Sequence, residues 1–283
     1  MNRNVIPLSV VLRTERQELP PVPQLRRRQP RHTEFLGLPF SLLEQPEVIR
    51  LIAEQGGAPY RYVVTPNAYH VVAVHDEPER LLPAYRGAWL SLCDSQIVRA
   101  LARLGRVPLP LVTGSDLVPT LLATLNASNN DHAQWRILVV GPPRANEQAL
   151  RAAYPNLTVD VMPAPGGLGQ SAELRRAVAR ACMNRSWDIA LLCVGCPAQE
   201  LIARELDELG CVSGIALCVG AAIDFITGKS ERAPLWLQRL GLEWAYRLIR
   251  EPSRLWRRYL VESPKIFRIF MAERLAKRAR WRP

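Results

Sequence analysis

The chain has 283 residues, 48% of them hydrophobic, enough to bury a substantial core in one large domain or two small ones. Its formal charge of +11 is uneven: residues 1–35 carry +4, residues 36–230 carry −2 and residues 231–283 carry +9. Outside a few short apolar stretches no run of about 18 uncharged apolar residues exists, and the best candidate, Val212–Ile226, is broken by Asp224, so a bilayer-spanning helix is not expected.

In chain order, residues 1–35 are rich in Pro and Arg and lack the apolar content for a core, so a flexible basic leader is expected there. No cleavable signal is expected at Met1–Val11, where the apolar stretch is short and Arg13, Glu15 and Arg16 follow at once. From residue 36 to 226, apolar runs of strand length alternate with amphipathic stretches. The strands are expected at 62–64, 109–112, 135–141, 158–162, 188–195 and 215–220, and helices at 146–153, 172–183 and 199–209. Continuous apolar strands separated by helices predict an α/β, Rossmann-like core, a mostly parallel sheet with helices on both faces. Gly114, Gly141, Gly195 and Gly220 close strands, and ligands of such sheets bind at that carboxyl edge.

Neither a dinucleotide fingerprint nor a P-loop is present; Gly166-Gly-Leu-Gly169 has the wrong spacing and reads as a loop. Of the six cysteines, Cys193 and Cys196 form a C-x-x-C at the end of an apolar run, with no second pair or His pair to complete a zinc site. A buried strand end is the simpler reading. His70, His75 and His132 form no evident ligand set.

After residue 226 the pattern turns helical and is punctuated by Pro234, Pro252 and Pro264, placing helices at about 234–250, 252–262 and 264–280. Residues 227–283 thus read as a helical appendage. Its last 53 residues interleave Arg and Lys with Trp236, Trp244, Tyr246, Trp256, Tyr259, Phe267, Phe270 and Trp281. That composition suits an anionic membrane interface and, equally on charge alone, RNA. Arg247 and Arg254 are seven residues apart, with Arg257 and Arg258 three and four beyond, so on continuous helix they share a face.

An ordered series of short motifs accompanies this pattern: Thr65-Pro-Asn67, Cys93-Asp94, Val112-Thr-Gly-Ser-Asp-Leu117, Gly195-Cys-Pro-Ala-Gln-Glu200, Gly220-Ala-Ala-Ile-Asp-Phe225, Arg232-Ala-Pro-Leu-Trp236 and Gly241-Leu-Glu-Trp-Ala-Tyr-Arg-Leu248 with Glu251-Pro-Ser-Arg254. In these the chain resembles the WecG/TagA/CpsF glycosyltransferases of bacterial cell-surface polymer synthesis. It departs from them in having Ser95 where Asp-Gly is usual and Ala198 where Pro-Lys-Gln-Glu is common.

The resemblance implies inverting transfer from a UDP-sugar donor to a polyprenyl-diphosphate-linked saccharide, with inner-leaflet anionic lipids as a further partner. The chain would then be peripheral on the cytoplasmic face of the plasma membrane. Nucleic acid is not expected, no cofactor or metal is implied, and a homo-oligomer is compatible. On the same basis Asp94 is the expected base, with a helix N-cap as the competing role. Thr65 and Asn67 are expected to orient substrate or base, or to form a turn. Gln199 is expected to face the ligand, with Glu200 structural. Gly114 lies in the binding edge, and Asp224 either receives the uridine or is a loop acid. Arg247, Arg254 and Arg257 are expected to hold the diphosphates, or only the membrane. The alternative for the whole chain is a non-enzymatic membrane- or RNA-binding adaptor.

Overall fold

In the computed structural model the described residues are 31–55, 59–128, 134–141, 145–228, 233–234, 236–237 and 241–280, with the side chains of 145–146, 254 and 277–280 outside the description. The chain enters through a hairpin, β1 (His32–Phe35) and β2 (Leu38–Ser41), paired antiparallel. Its two-residue turn, Leu36–Gly37, has φ of 52° and 73°, the doubly positive geometry that matches strand twist in tight hairpins. Phe35, Leu36, Leu38 and Phe40 are buried, so the end of the stretch expected as leader belongs to the core, while residues 1–30 of that expectation lie outside the described residues.

The central sheet has six parallel strands in the order β4-β3-β8-β7-β5-β6, with β3 at Arg61–Val64, β4 at Leu90–Ser91, β5 at Arg136–Gly141, β6 at Thr158–Pro163, β7 at Ile189–Leu192 and β8 at Ile215–Cys218. Alternation along the strands divides the core in two. Tyr62, Val64, Leu138, Val140, Ala190, Leu192, Ala216 and Cys218 face one cluster; Val63, Ile137, Val139, Ile189, Leu191, Ile215 and Leu217 face the other. The first face is covered by α2 (Ala68–Asp76), α3 (Pro78–Arg86), α4 (Gln96–Leu104), α7 (Ala172–Met183) and α8 (Ala198–Glu208). The second is covered by α1 (Gln45–Gln55), α5 (Gly114–Ala127), α6 (Ala145–Ala153) and α9 (Ala222–Ile226). The Rossmann-like α/β expectation is met.

Adjacent strands β3 and β8 send their following helices, α2 and α9, to opposite faces. This is the switch point at which open parallel sheets form a crevice at the strands' carboxyl ends. The expected strand at 109–112 is not one: Pro108 and Pro110 lack the amide donors a ladder needs, and the segment runs extended into α5 with Val112 N donating to Cys93 O at 2.9 Å. Gly114 accordingly opens a helix instead of closing a strand.

The appendage continues with α10 (Glu243–Arg250), α11 (Pro252–Trp256), a π-helical turn at Arg257–Glu262 and α12 (Lys265–Arg280). Of the helix expected at about 234–250, Trp236 and Leu237 are helical among the described residues, and after Gly241, with φ of 73°, α10 begins at Glu243. The appendage is part of the same packing unit, because Ile266 and Phe270 are buried in the first cluster and Phe270 meets Phe35 edge-on at 6.2 Å. Glu273 accepts the Leu36 amide at 2.8 Å, satisfying the hairpin turn from α12. Among the described residues no helix is long and apolar enough to cross a membrane.

Candidate active site

Four segments converge at the β3/β8 crevice. Leaving β3, Thr65 is buried and its Oγ1 donates to Cys218 O at 2.8 Å, tying the ends of β3 and β8 together. Asn67 N-caps α2, its Oδ1 accepting from Tyr69 N at 3.0 Å and His70 N at 3.4 Å. The Asp94 amide donates to Pro66 O at 3.0 Å, which brings the loop after β4 against the Thr65–Asn67 corner.

Ser95, not Asp94, caps α4, its hydroxyl accepting from Val98 N at 3.3 Å. Ser95 therefore takes the capping role and leaves the Asp94 carboxylate unengaged by its own helix. Asp94 keeps accessible surface but is set deep enough that burial pushes its pKa up to about 7. Opposing that rise are a hydrogen bond from the Gly114 amide and the positive charges of Arg247 and Arg258, while Glu243 adds to it. A carboxylic acid titrating near neutrality in a crevice is suited to proton transfer at cellular pH.

Gly114 reaches Asp94 because α5 starts close against the end of β8; a Cβ there would lie 3.2 Å from Val219 O. Thr113 fixes that start, accepting from Asp116 N at 3.1 Å and donating to Asp116 Oδ2 at 2.7 Å. The amide and dipole of a helix N-terminus therefore face the carboxylate.

Gln199 departs from expectation. It is 2% exposed, its Nε2 donates to Glu200 Oε1 at 2.7 Å and its Oε1 accepts from Gly220 N at 3.0 Å. Both ends of the amide are engaged within the protein, so it shapes the loop after β8 and does not present itself to a ligand. Asp224 lies half-buried in the first turn of α9, not in a loop, close enough to raise the pKa of the Cys193 thiol beyond what burial does.

Of the three expected arginines, Arg247 enters the crevice, with its guanidinium 5.5 Å from the Phe225 ring centroid. Arg257 points outward, its side chain 76% exposed and 3.6 Å from Glu262. The side chain of Arg254 lies outside the described residues. Arg258 is the one brought in: its Nη2 donates to Asn67 Oδ1 at 3.4 Å and its guanidinium lies 4.7 Å from the Tyr69 ring centroid. The π-helical turn changes the angular spacing, so the shared face drawn from straight helix does not hold beyond Trp256.

Below the corner, His70, Cys196 and Glu200 bring ligand-type atoms within 4.8 Å of one another, a grouping the sequence spacing does not reveal. Among the described residues no other such group of three occurs. His70 and Glu200 are buried and Cys196 is half-buried: desolvation keeps the His70 pKa well below its usual value and the Cys196 thiol well above, and pushes Glu200 up to about 7. Gln199 and the Cys196 thiol hydrogen-bond to Glu200, and Tyr85 Oη lies 3.9 Å from Cys196 Sγ. The field of Arg258 reaches each of the three, which opposes a divalent cation among them. The residues fit a neutral buried polar cluster better than a metal centre.

A near-neutral carboxylic acid beside a helix N-terminus, with arginines set over the crevice of a parallel sheet, suits proton transfer next to an anionic group. The chain belongs to the WecG/TagA/CpsF family of glycosyl transferases, whose description it matches over residues 33–280. The match runs from β1 to the end of α12, so hairpin and appendage are part of the family's unit. The protein is a glycosyltransferase with a role in cell-surface polysaccharide synthesis.

Proposed function

We propose that the chain transfers a hexose from a UDP-sugar to a hydroxyl of a polyprenyl-diphosphate-linked saccharide, with inversion, at the cytoplasmic surface of the plasma membrane. The observation that carries the reading is Asp94, uncapped, half-buried and near-neutral at the crevice floor. In the step, the acceptor oxygen attacks the anomeric carbon as its proton passes to Asp94. The anomeric carbon–oxygen bond breaks with its electron pair going to the departing UDP.

Arg247 and Arg258 supply the positive charge that a nucleoside diphosphate leaving group requires, in the place where other enzymes use a divalent ion. Thr65 holds the two strand ends in register and Asn67 orients the corner, while Gly114 and Asp224 lie on the donor side. Arg254 and Arg257 serve the lipid diphosphate or the anionic headgroups. Nine of the thirteen exposed large hydrophobic side chains among the described residues, Trp236, Trp256 and Phe267 included, lie in the appendage, and this concentration supports the membrane reading.

The test is UDP release from a panel of UDP-sugars with a short-chain polyprenyl-diphosphate saccharide. Turnover in the parent, lost in Asp94→Asn, is expected. Vesicle or RNA binding with no turnover under any donor would favour the adaptor.

A further inference from the structure

Helix α4 ends on a turn that its own capping does not explain. Val107 N donates to Ala102 O at 2.8 Å and Arg106 N to Arg103 O at 3.0 Å, so Arg106 holds the left-handed position that closes the helix, with φ of 58°. Glycine takes that position without strain, yet Gly105 stands one residue earlier. Arg99, Arg103 and Arg106 follow one another at spacings of four and three, where like charges repel. Among the described residues no carboxylate lies within 4.0 Å of these guanidinium groups. The dipole of the helix end favours a cation anywhere in the last turn and does not call for one on a left-handed backbone. Arg103 and Arg106 are exposed, and Leu104 between them is 63% exposed.

Both ends of α4 adjoin the appendage. A Cβ on Gly241 would lie 3.3 Å from Gln96 Cβ, and one on Gly105 would lie 3.4 Å from the Phe35 ring, which meets Phe270 of α12. On α12, Phe267, Met271 and Leu275 are exposed at a spacing of four, as one apolar stripe. The end of α4 therefore sets arginines and a leucine of the core beside an apolar stripe of the appendage. An exposed leucine between arginines suits a lipid interface, where its side chain leaves water and the cations meet anionic headgroups; RNA offers the leucine no comparable medium.

We propose that Arg103, Leu104 and Arg106 form a second lipid contact, on the catalytic core itself, in which Leu104 enters the interface between anionic headgroups held by the two guanidinium groups. Two contacts fix the tilt of the molecule, where one leaves it free to rock. Gln96, the first residue of α4, follows Asp94 by two, so the crevice stands one nine-residue helix, about 14 Å, from this contact. The consequence for transfer rests on the crevice being the sugar-transfer site proposed above; the lipid contact itself does not.

The test measures partition of the full chain onto vesicles of phosphatidylglycerol and phosphatidylcholine in equal parts, and onto phosphatidylcholine alone. Arg103→Gln with Arg106→Gln should weaken binding to the anionic vesicles about tenfold or more and leave the neutral ones unaffected. Leu104→Ser should weaken both. Arg176→Gln with Arg180→Gln removes the same charge from exposed positions of α7, which follows the opposite edge strand β6, and should change neither. Arg106→Gly relieves the left-handed backbone, so it should melt no lower than the parent while binding anionic vesicles about fivefold more weakly. A residue that only closes the helix would show the first result without the second.

Parent-like partition in the folded double variant or in Arg106→Gly would overturn the contact, as would an equal loss in the α7 pair or a parent indifferent to anionic vesicles. RNA binding lost in the double variant with vesicle binding kept would assign the patch to nucleic acid instead. In kinetics, the double variant should raise KM for an acceptor embedded in vesicles and leave kcat/KM for a short-chain acceptor in solution unchanged. A parent that releases no UDP yet loses vesicle binding through these changes would sink the proposed reaction and leave this inference standing.

Discussion

Asp94 carries two opposed demands. Burial raises its pKa to about 7, so its ionisation destabilises the fold as pH rises from its ordinary range through that value. Asp94→Asn removes the penalty and should raise thermal stability at pH 8, by at most about 4 kcal/mol from the size of the shift, while abolishing transfer. At pH 4, where the acid is already neutral in the folded chain, the two proteins should melt together; scanning calorimetry at both pH values checks this.

Gln199 makes the contrasting case. Replacing it with Ala strips a donor from buried Glu200 and an acceptor from Gly220, so a loss of about 2 kcal/mol is expected in denaturant melts. A ligand-facing residue would instead raise KM and leave stability alone.

At the scale of elements, Gly114 decides how near α5 comes to β8. Gly114→Ala must move Val219 O or the helix start by a few tenths of an ångström, since the added Cβ would sit at 3.2 Å. The amide bond to Asp94 should weaken, so the acidic limb of kcat/KM is expected to shift to higher pH; an unshifted limb with normal folding would show that the amide contributes nothing.

Much of this architecture was legible in the sequence because it is written in local patterns. The apolar runs at 136–141, 158–163 and 215–218 and the motif corner at Thr65–Asn67 needed no tertiary information. What escaped depended on long-range geometry. Two-residue β4 is too short to leave a run, and 109–112 is apolar but prolines deny it a ladder. Gln199 reads as a ligand residue until Gly220 is folded against it. Arg258 is indistinguishable from Arg257 until a π-helical turn selects which one points inward.

At the scale of the molecule, the appendage is not a detachable arm. Ile266 and Phe270 fill the first core and Glu273 closes the hairpin turn, so removing residues 231–283 would uncover apolar surface on α2 and β1. Point changes on its exposed side test membrane contact more cleanly. Trp256→Glu, at a position 51% exposed, should reduce co-sedimentation with anionic vesicles several-fold while leaving the melting temperature within about 2 °C. Vesicle binding should also weaken as salt rises, as expected where basic residues meet anionic headgroups.

The central claim is that Asp94 is a base poised near neutrality in a sugar-transfer crevice. Its most direct test is the pH dependence of UDP release by the full chain with a polyprenyl-diphosphate saccharide acceptor. The rate is expected to rise with pH through a midpoint near 7 and to fall at least about a thousandfold in Asp94→Asn. Turnover independent of pH between 5 and 9, or retained in Asp94→Asn, would contradict it.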